Sequence, residues 1–310
     1  MQSPHAKSGR YPAITGPTAS GKTALAVALA GAVDGEIVSA DSRQVYRGMD
    51  LGTGKDLEEY GSVPYHMIDI APAGHKYNLF EYLRDARAAM ADIRSRGKMP
   101  VVCGGTGMYL EALLRGTELP DVPVNAELRR SLEGKSLAEL TEILAGMKTL
   151  HNTTDVDTVK RAVRAIEIQR YYIDNPDLAT GTSPGVVDPD AVVVGVDISR
   201  EQRRARITAR LKARFAAGMT AEVERLLAEG VPADDLIYYG LEYKFVTQYV
   251  TGAISRQEME SGLEIAIHQF AKRQMTWFRG MERRGFTIHW LPWNMPADEF
   301  VGEVKKLLEP

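Results

Sequence analysis

The chain has 310 residues, with 38 Lys and Arg against 41 Asp and Glu and a formal net charge of -3. Hydrophobic residues make up 44% and charged residues 25%, which excludes a disordered or fibrous protein and indicates a globular protein with a large core. Because the overall charge does not attract a polyanion, any contact with nucleic acid must come from local basic clusters. The single cysteine, Cys103, excludes an internal disulfide and a multi-cysteine zinc site.

No apolar run in the sequence is long enough for a signal peptide or for the roughly 18 residues of a membrane span. Together with the single cysteine, this predicts a cytoplasmic protein that does not use a membrane as a partner. We expect the protein to be a monomer, and we expect the polar residues 1–10 to be frayed.

The first third of the chain alternates short apolar runs with amphipathic ones. In chain order the predicted elements are strand Tyr11–Thr15, helix Lys22–Ala32, strand Glu36–Ala40, strand His66–Ile70, helix Leu79–Arg96 and strand Met99–Cys103. Leu83, Ala86 and Met90 have the spacing of one helical face. Since strands alternate with helices, we predict an α/β fold with a mostly parallel sheet flanked by helices.

From about Gly116 the pattern changes to short charged helical segments and a stretch rich in Pro, Gly, Thr and Asp at Asn175–Pro189. Strand character returns at Ala191–Asp197, and helices are predicted from Arg200 to Leu227 and from Arg256 to about Arg284. We therefore expect a core built from residues 1–118 and 189–310, ending in basic helices, with a helical insertion at 119–188.

Residues 16–23 read Gly-Pro-Thr-Ala-Ser-Gly-Lys-Thr and fit the P-loop pattern G-x-x-x-x-G-K-[ST] between a predicted strand and a predicted helix. In such a loop backbone N–H groups converge on phosphate, Lys22 adds a positive charge, and the Thr23 hydroxyl can ligate Mg²⁺. The residues predicted to hold a diphosphate are Gly16, Thr18, Ala19, Ser20, Gly21, Lys22 and Thr23. The alternative, a glycine turn beside an ordinary surface lysine, is disfavoured by this context. We therefore expect a P-loop NTPase-like core.

A second glycine turn, Gly104–Gly107, also lies between a predicted strand and a helix. Its backbone amides and the Thr106 hydroxyl could reach the same anion from across the sheet edge. On its own this turn is equally consistent with a purely structural role.

Asp41 follows the second predicted strand, at the sheet edge where ligands collect in α/β proteins. A carboxylate there could accept a proton from an amine or hydroxyl while the loop holds a leaving diphosphate. Ser42 and Gln44 could form hydrogen bonds with an acceptor base. The alternative role for Asp41 is that of a helix N-cap.

Three clusters of basic residues are candidates for phosphate or RNA contacts, although each could also be a solvated helix face. Arg203, Arg206, Arg210 and Arg214 share one helical face beside the apolar stripe of Ile207, Leu211 and Phe215. The other two clusters are Lys160, Arg161 and Arg164 in the insertion, and Lys272, Arg273, Arg279, Arg283 and Arg284 near Trp277 and Phe278.

The chain resembles the tRNA dimethylallyltransferase family, also called isopentenyl-tRNA transferases. The resemblance rests on GPTASGKT, on DSRQVYRGMDLGTGK at Asp41–Lys55, and on GGTGMYLEALLRG at Gly104–Gly116. It continues through Asp157–Ile168, Arg206–Arg210 and Ala271–Glu282, and so spans nearly the whole chain. The C-terminal zinc finger of eukaryotic relatives is absent from this sequence, which favours the bacterial type.

The resemblance implies transfer of a dimethylallyl group from dimethylallyl diphosphate to the exocyclic N6 of an adenine next to the anticodon in tRNA. Asp41 would be the general base, Thr106 and Arg206 would take part in catalysis, and Arg210 would help to hold the diphosphate with Mg²⁺. The insertion would contact the acceptor. The residues implied to bind tRNA are Ser42, Arg43, Gln44, Lys160, Arg161, Arg164, Lys272, Arg273 and Arg279.

Three segments depart from the family pattern. Ile267-His268 stands where a Thr-Arg pair is usual, Gly240–Tyr243 replaces Gly-Tyr-Lys-Glu, and Gly54–Asp56 replaces Ala-Lys-Pro. These segments are expected to face the acceptor, so the acceptor is less well defined by sequence than the donor.

Three other functions stay open at this point. An adenylate dimethylallyltransferase would use the same chemistry on free AMP, ADP or ATP. A P-loop kinase would use Asp69 as its metal-holding acid and would transfer phosphate from ATP. A third possibility is a protein that keeps the fold but only binds RNA. It would retain tRNA without forming a product, and its tRNA binding would not depend on Asp41.

Overall fold

The computed structural model describes residues 9–119, 121–150, 154–181 and 185–309. Most of the N-terminal segment for which we expect fraying, residues 1–8, lies outside the described residues, as do residues 182–184 of the Pro- and Gly-rich stretch. The chain divides into two compact units, one formed by Met1–Gly116 and Val186–Pro310 and the other by Thr117–Gly185. Among the described residues, no helix combines the length and apolarity needed to cross a membrane.

Within the described residues, the first unit contains one six-stranded parallel sheet. Its strands are β1 (Tyr11–Thr15), β2 (Gly35–Ser39), β3 (Tyr65–His66), β4 (Met99–Gly104), β5 (Ala191–Asp197) and β6 (Ile288–Pro292). They are ordered β3-β2-β4-β1-β5-β6, so the phosphate-loop strand β1 lies between β4 and β5. The predicted α/β fold with a parallel sheet is confirmed, whereas β6 was not predicted.

Twelve α-helices lie between and after these strands in the described part of the chain. They are α1 (Lys22–Ala32), α2 (Leu79–Ser95), α3 (Gly107–Leu114), α4 (Ala126–Ser131), α5 (Leu137–Met147), α6 (Val159–Asp174), α7 (Arg200–Ala216), α8 (Met219–Ala228), α9 (Ala233–Tyr238), α10 (Leu241–Val250), α11 (Arg256–Arg283) and α12 (Ala297–Leu308). The single helix predicted from Arg200 to Leu227 is two helices, because the chain breaks at Gly218, whose φ of 100° is left-handed.

The core of the first unit lies against the sheet. Ile14, Ile37 and Val194 come from three strands and are buried together with Leu29 of α1 and Phe300 of α12. Every residue of β1 and β2 is buried, as expected for parallel strands covered by helices on both faces.

The third predicted strand, His66–Ile70, is shorter than expected. β3 ends at His66, since Met67 and Asp69 have left-handed φ values of 68° and 56°. The backbone N–H of Asp69 then donates to the Gln44 carbonyl at 3.1 Å, which holds the segment as a loop.

The second unit is helical in its described part. Leu140 and Leu144 of α5 and Ala162 and Ile166 of α6 form its small core. Glu167 of α6 is also buried and satisfies its carboxylate through three groups of the same unit. These are the guanidinium of Arg129 at 3.0 Å, the guanidinium of Arg164, and the backbone N–H of Asn125 at 2.7 Å.

Candidate active site

The loop between β1 and α1 has the backbone form of an anion-binding loop. Ala19 and Gly21 have left-handed φ values of 61° and 87°. Within the described part of the chain, no side chain caps the start of α1, so the first N–H groups of the helix stay available to an anion. Arg206 lies beside this loop and donates from Nε to the carbonyl of Ala19 at 2.7 Å.

Lys22 begins α1, and its ammonium points into a cavity. We find no hydrogen bond from Nζ to any described side chain or carbonyl. Burial lowers the pKa of Lys22, while the nearby Cys103 and Asp41 oppose that shift and Arg210 adds to it. The fold therefore holds a cation beside the loop without neutralising it locally.

One cavity of about 520 Å³ in the first unit brings the predicted motifs together. Lys22 and Thr23 come to it from the phosphate loop, Asp41 from the end of β2, and Thr106 from the second glycine turn. The other charged or hydrogen-bonding side chains that line it include Thr18, Ser42, Arg43, Gln44, Arg210, Arg214, Glu242, Arg273 and Gln274. The anion-binding loop and the carboxylate thus face a common space.

Asp41 is held by its own loop. Its Oδ1 accepts from the backbone N–H of Arg43 at 2.9 Å, and no helix follows it, so the N-cap alternative does not apply. The hydroxyl of Thr106 accepts from the backbone N–H of Ser42 at 3.0 Å and lies 3.3 Å from the Ser42 hydroxyl. These bonds join the second glycine turn to the segment that carries Asp41.

The model of the IPP transferase family matches residues 44–281, which is more than half of the chain. The chain belongs to the IPP transferase family. A second model, described as isopentenyl transferase, matches residues 10–61, which contain the phosphate loop.

Known members of the family are similar to the chain over nearly its full length. The tRNA dimethylallyltransferase 2 of Bacteroides fragilis is 60% identical over 301 residues, covering 96% of this chain and 97% of that protein. The tRNA dimethylallyltransferase 1 of Porphyromonas gingivalis is 59% identical over 298 residues, covering 95% and 97%. A crystal structure of the tRNA isopentenylpyrophosphate transferase of Bacillus halodurans matches with a TM-score of 0.70 and 28% identity, covering 97% of this chain and 95% of that one.

The predicted diphosphate residues of this IPP transferase lie at one end of the cavity. Thr18, Lys22, Thr23 and Arg210 line it. Gly16, Ala19, Ser20 and Gly21 form the loop backbone behind them. Arg206 does not line the cavity, but its guanidinium is near Gly21 and stacks on the Trp293 ring at 4.8 Å from the centroid.

The residues that the resemblance assigns to tRNA binding are spread over both units. Ser42, Arg43, Gln44 and Arg273 line the cavity of the first unit. Lys272 and Arg279 lie on α11 with exposed side chains and do not line it. Lys160, Arg161 and Arg164 lie on α6 of the second unit, where Arg161 pairs with Asp157 and Arg164 with Glu167.

Asp69, the metal-holding acid of the kinase alternative, does not line the cavity. Its carboxylate is paired with the buried ammonium of Lys55, which also binds Asp50 Oδ1 at 2.9 Å. Since this acid is already used inside the protein, the structure gives no support to a kinase.

Gln274 is a site residue that the sequence analysis missed. Its Oε1 accepts from the backbone N–H of Thr18 at 2.8 Å, and its Nε2 donates to the Gly105 carbonyl at 2.8 Å. One buried amide therefore clamps the phosphate loop to the second glycine turn. A Cβ at Gly105 would meet Nε2 at 2.6 Å, so any side chain at this position would displace the Gln274 amide from its present place. A signal was present, because Gln274 lies three residues after Ala271 and four residues before Phe278, and so shares the apolar face of α11 with them.

Glu222 of α8 was also missed. Its carboxylate accepts from the backbone N–H groups of Asp50 at 2.9 Å, Leu51 at 2.8 Å and Gly52 at 3.1 Å, and from the Tyr243 hydroxyl at 2.5 Å. This anchor fixes the segment that follows Asp41 and includes Gly54 at the cavity wall. All three departures from the family pattern reach the cavity wall, through Gly54, through Leu241 and Glu242, and through Ile267.

Proposed function

We propose that the protein transfers the dimethylallyl group of dimethylallyl diphosphate to N6 of an adenine next to the anticodon in tRNA. The observation that carries this proposal is the shared cavity, in which the phosphate loop and the Asp41 carboxylate face one space. Leaving group and nucleophile can therefore be handled together, as a single displacement requires.

The donor end of the cavity suits a diphosphate. The uncapped start of α1, the Lys22 ammonium and the Arg210 guanidinium all offer positive charge or N–H groups to phosphate oxygens. When the allylic carbon departs, negative charge builds on the bridging oxygen, so these groups stabilise the transition state more than the bound substrate.

Mg²⁺ fits this end of the cavity through Thr23. Among the described residues there is no cluster of three or more His, Cys, Asp or Glu side chains that could hold a metal ion by itself. A Mg²⁺ ion commonly takes one or two protein oxygens and completes its shell with substrate phosphate and water, and the Thr23 hydroxyl supplies such an oxygen. The ion would neutralise charge on the departing diphosphate.

Asp41 is the group that would accept the proton. In the reaction a bond forms between N6 and the allylic carbon, the bond from that carbon to the diphosphate oxygen breaks, and the amine proton passes to the Asp41 carboxylate. The hydrogen bond from the Arg43 N–H fixes Oδ1 and leaves the other carboxylate oxygen for the substrate.

The acceptor side of the cavity carries aromatic and basic side chains. Phe270 and Trp277 line it while remaining exposed, which suits stacking on a base, and Arg273 lies beside Phe270. Lys272 and Arg279 extend the basic surface of α11 beyond the cavity, which exceeds the needs of a free nucleotide. We assign the segment 119–188, through Lys160, Arg161 and Arg164, to the same tRNA acceptor.

A competition assay tests the proposed function. The protein is incubated with labelled dimethylallyl diphosphate, Mg²⁺, total tRNA and AMP together, and the label on each acceptor is measured. We expect label on tRNA at N6 of adenine. Label on AMP alone would identify an adenylate dimethylallyltransferase, and the absence of label on either acceptor would contradict the proposal.

A further inference from the structure

Arg214 of α7 is a buried cation for which the site described above has no role. Its side chain is 12% exposed and lines the cavity. Nη2 is fully buried and forms no hydrogen bond with any group in the described ranges. Its nearest carboxylate oxygen, Oδ2 of Asp56, is 3.7 Å away, and that oxygen already accepts from Arg210 at 2.8 Å.

The surroundings of Arg214 compensate its positive charge only in part. A Cβ placed on Gly54 would clash with Nη2 of both Arg210 and Arg214, so the two guanidinium groups converge on one point of the cavity wall. Burial, followed by the charge of Arg210, lowers the pKa of Arg214 to about 10, against opposing contributions from Asp56 and Glu242. A buried cation beside another cation and without a full partner destabilises the folded protein until an anion binds.

The cations next to Arg214 indicate what kind of anion would bind to it. The charge of Arg210 acts on Lys22 at the phosphate loop and also on Arg214, so Arg210 links the two. A ligand with several anionic oxygens could contact all three residues. Glu242 is an acid on the same cavity wall, and burial raises its pKa against the effects of a hydrogen bond from its own backbone N–H and of the charges of Arg214 and Arg210.

We propose that Arg214 is a further diphosphate-binding residue, whose guanidinium group binds an oxygen of the donor diphosphate next to Arg210. The inference rests on the proposed function and adds to it a cation that the phosphate-loop motif does not contain. When Glu242 is ionised, its carboxylate weakens the attraction of Arg214 for an anion.

The test compares Arg214→Met with the unaltered protein in binding of inorganic pyrophosphate with Mg²⁺, measured by calorimetry. We expect about a tenfold weaker Kd, because a hydrogen bond to a charged group is lost. The unfolding temperature without ligand should stay equal or rise, since a poorly partnered buried charge is removed. Lys212→Met is the matched control, since Lys212 is exposed on the same helix and outside this cavity.

Glu242→Gln provides a second variant with the opposite expectation, tighter pyrophosphate binding. A purely structural Arg214 would instead give a lower unfolding temperature and unchanged pyrophosphate affinity, and this result would overturn the inference. Weaker tRNA binding with unchanged pyrophosphate binding would overturn it too, by assigning Arg214 to the acceptor. If the unaltered protein itself transfers no prenyl group and binds no pyrophosphate, the proposed function fails and not this inference alone.

Discussion

Two lysines of the first unit are both removed from solvent, but their ammonium groups have different surroundings. Lys55 is 2% exposed, and its ammonium binds Asp50, Asp69 and the Tyr46 carbonyl. Lys22 lies at the cavity, and its ammonium binds no described group.

The comparison distinguishes a structural cation from a ligand-binding one by whether the protein itself supplies partners for the charge. A cation that is fully partnered, such as Lys55, holds the loop between Tyr46 and Asp69 in place. A cation that the fold buries without partners costs stability, and it is retained where a ligand supplies the missing anion. The acids follow the same division, with Asp69 used internally and Asp41 facing the cavity.

The largest expected effect concerns the two acids. Asp41→Asn should lower the rate of prenyl transfer by about 10²- to 10⁴-fold, the usual contribution of a general base, without weakening pyrophosphate binding. Single-turnover kinetics on tRNA measure the first, and calorimetry the second. Asp69→Asn is the matched control, for which turnover per folded molecule should stay unchanged while stability falls. Equal losses of turnover in both variants would contradict the catalytic role of Asp41 and the structural role of Asp69.

The two lysines themselves give the next effect. Lys22→Met should weaken pyrophosphate binding by about 10- to 100-fold, because a charge-assisted contact is lost, and should not lower the unfolding temperature. Lys55→Met should leave pyrophosphate affinity unchanged but destabilise the protein by about 2 kcal/mol, since three partners lose their donor. Denaturant unfolding with and without pyrophosphate measures both variants. If Lys22→Met were the less stable of the two, Lys22 would have a structural role.

The smallest expected effect is on the pH dependence of stability. It comes from a buried carboxylate that has partners inside the protein. Glu36 is buried, and the pKa of its carboxyl is lowered to about 2 by hydrogen bonds from Arg96 and then from His66, against the effect of burial. Because this pKa lies below the unfolded value of about 4.3, the pair stabilises the protein above pH 4, and that stabilisation is lost as the pH falls towards 2.

We expect about 1 kcal/mol from this pair, because solvent screens the partly exposed Arg96. Glu36→Gln should flatten the stability curve between pH 4 and pH 2, measured by urea unfolding. Glu303→Gln, in an exposed pair with Lys306, should leave the curve unchanged. If stability fell between pH 4 and pH 2 as steeply in Glu36→Gln as in the unaltered protein, another carboxylate would be responsible for the loss.

The sequence predicted the elements around the phosphate loop well, because local signals define them. The bounds of β1, α1 and β5 agree with the prediction to the residue, since each is a continuous apolar or helical run with a glycine or proline within two residues of one end. The gathering of Asp41 and Thr106 at one cavity also followed from sequence, because the carboxyl ends of parallel strands meet at the same sheet edge.

The supporting contacts were not predictable in the same way, because they join distant parts of the chain. Gln274 reaches Thr18 across 256 positions, and Glu222 reaches Gly52 across 170. The left-handed conformation of Met67 and Asp69, which shortens β3, carries no glycine or proline signal. The missing partner of Arg214 also depends on where Gly54 and Asp56 lie, and no spacing along α7 contains that information.

The clamp formed by Gln274 has a consequence for the order in which parts of the site form while the chain is being synthesised. The phosphate loop is complete in sequence by Thr23, yet the amide that fixes it belongs to α11, which begins only at Arg256. A nascent chain on the ribosome can therefore build β1, α1 and β4 early, but the loop keeps an unclamped Thr18 N–H until nearly nine-tenths of the protein has been made. We therefore expect the loop to reach its final conformation, and with it full affinity for the donor, only late in synthesis, together with the last long helix.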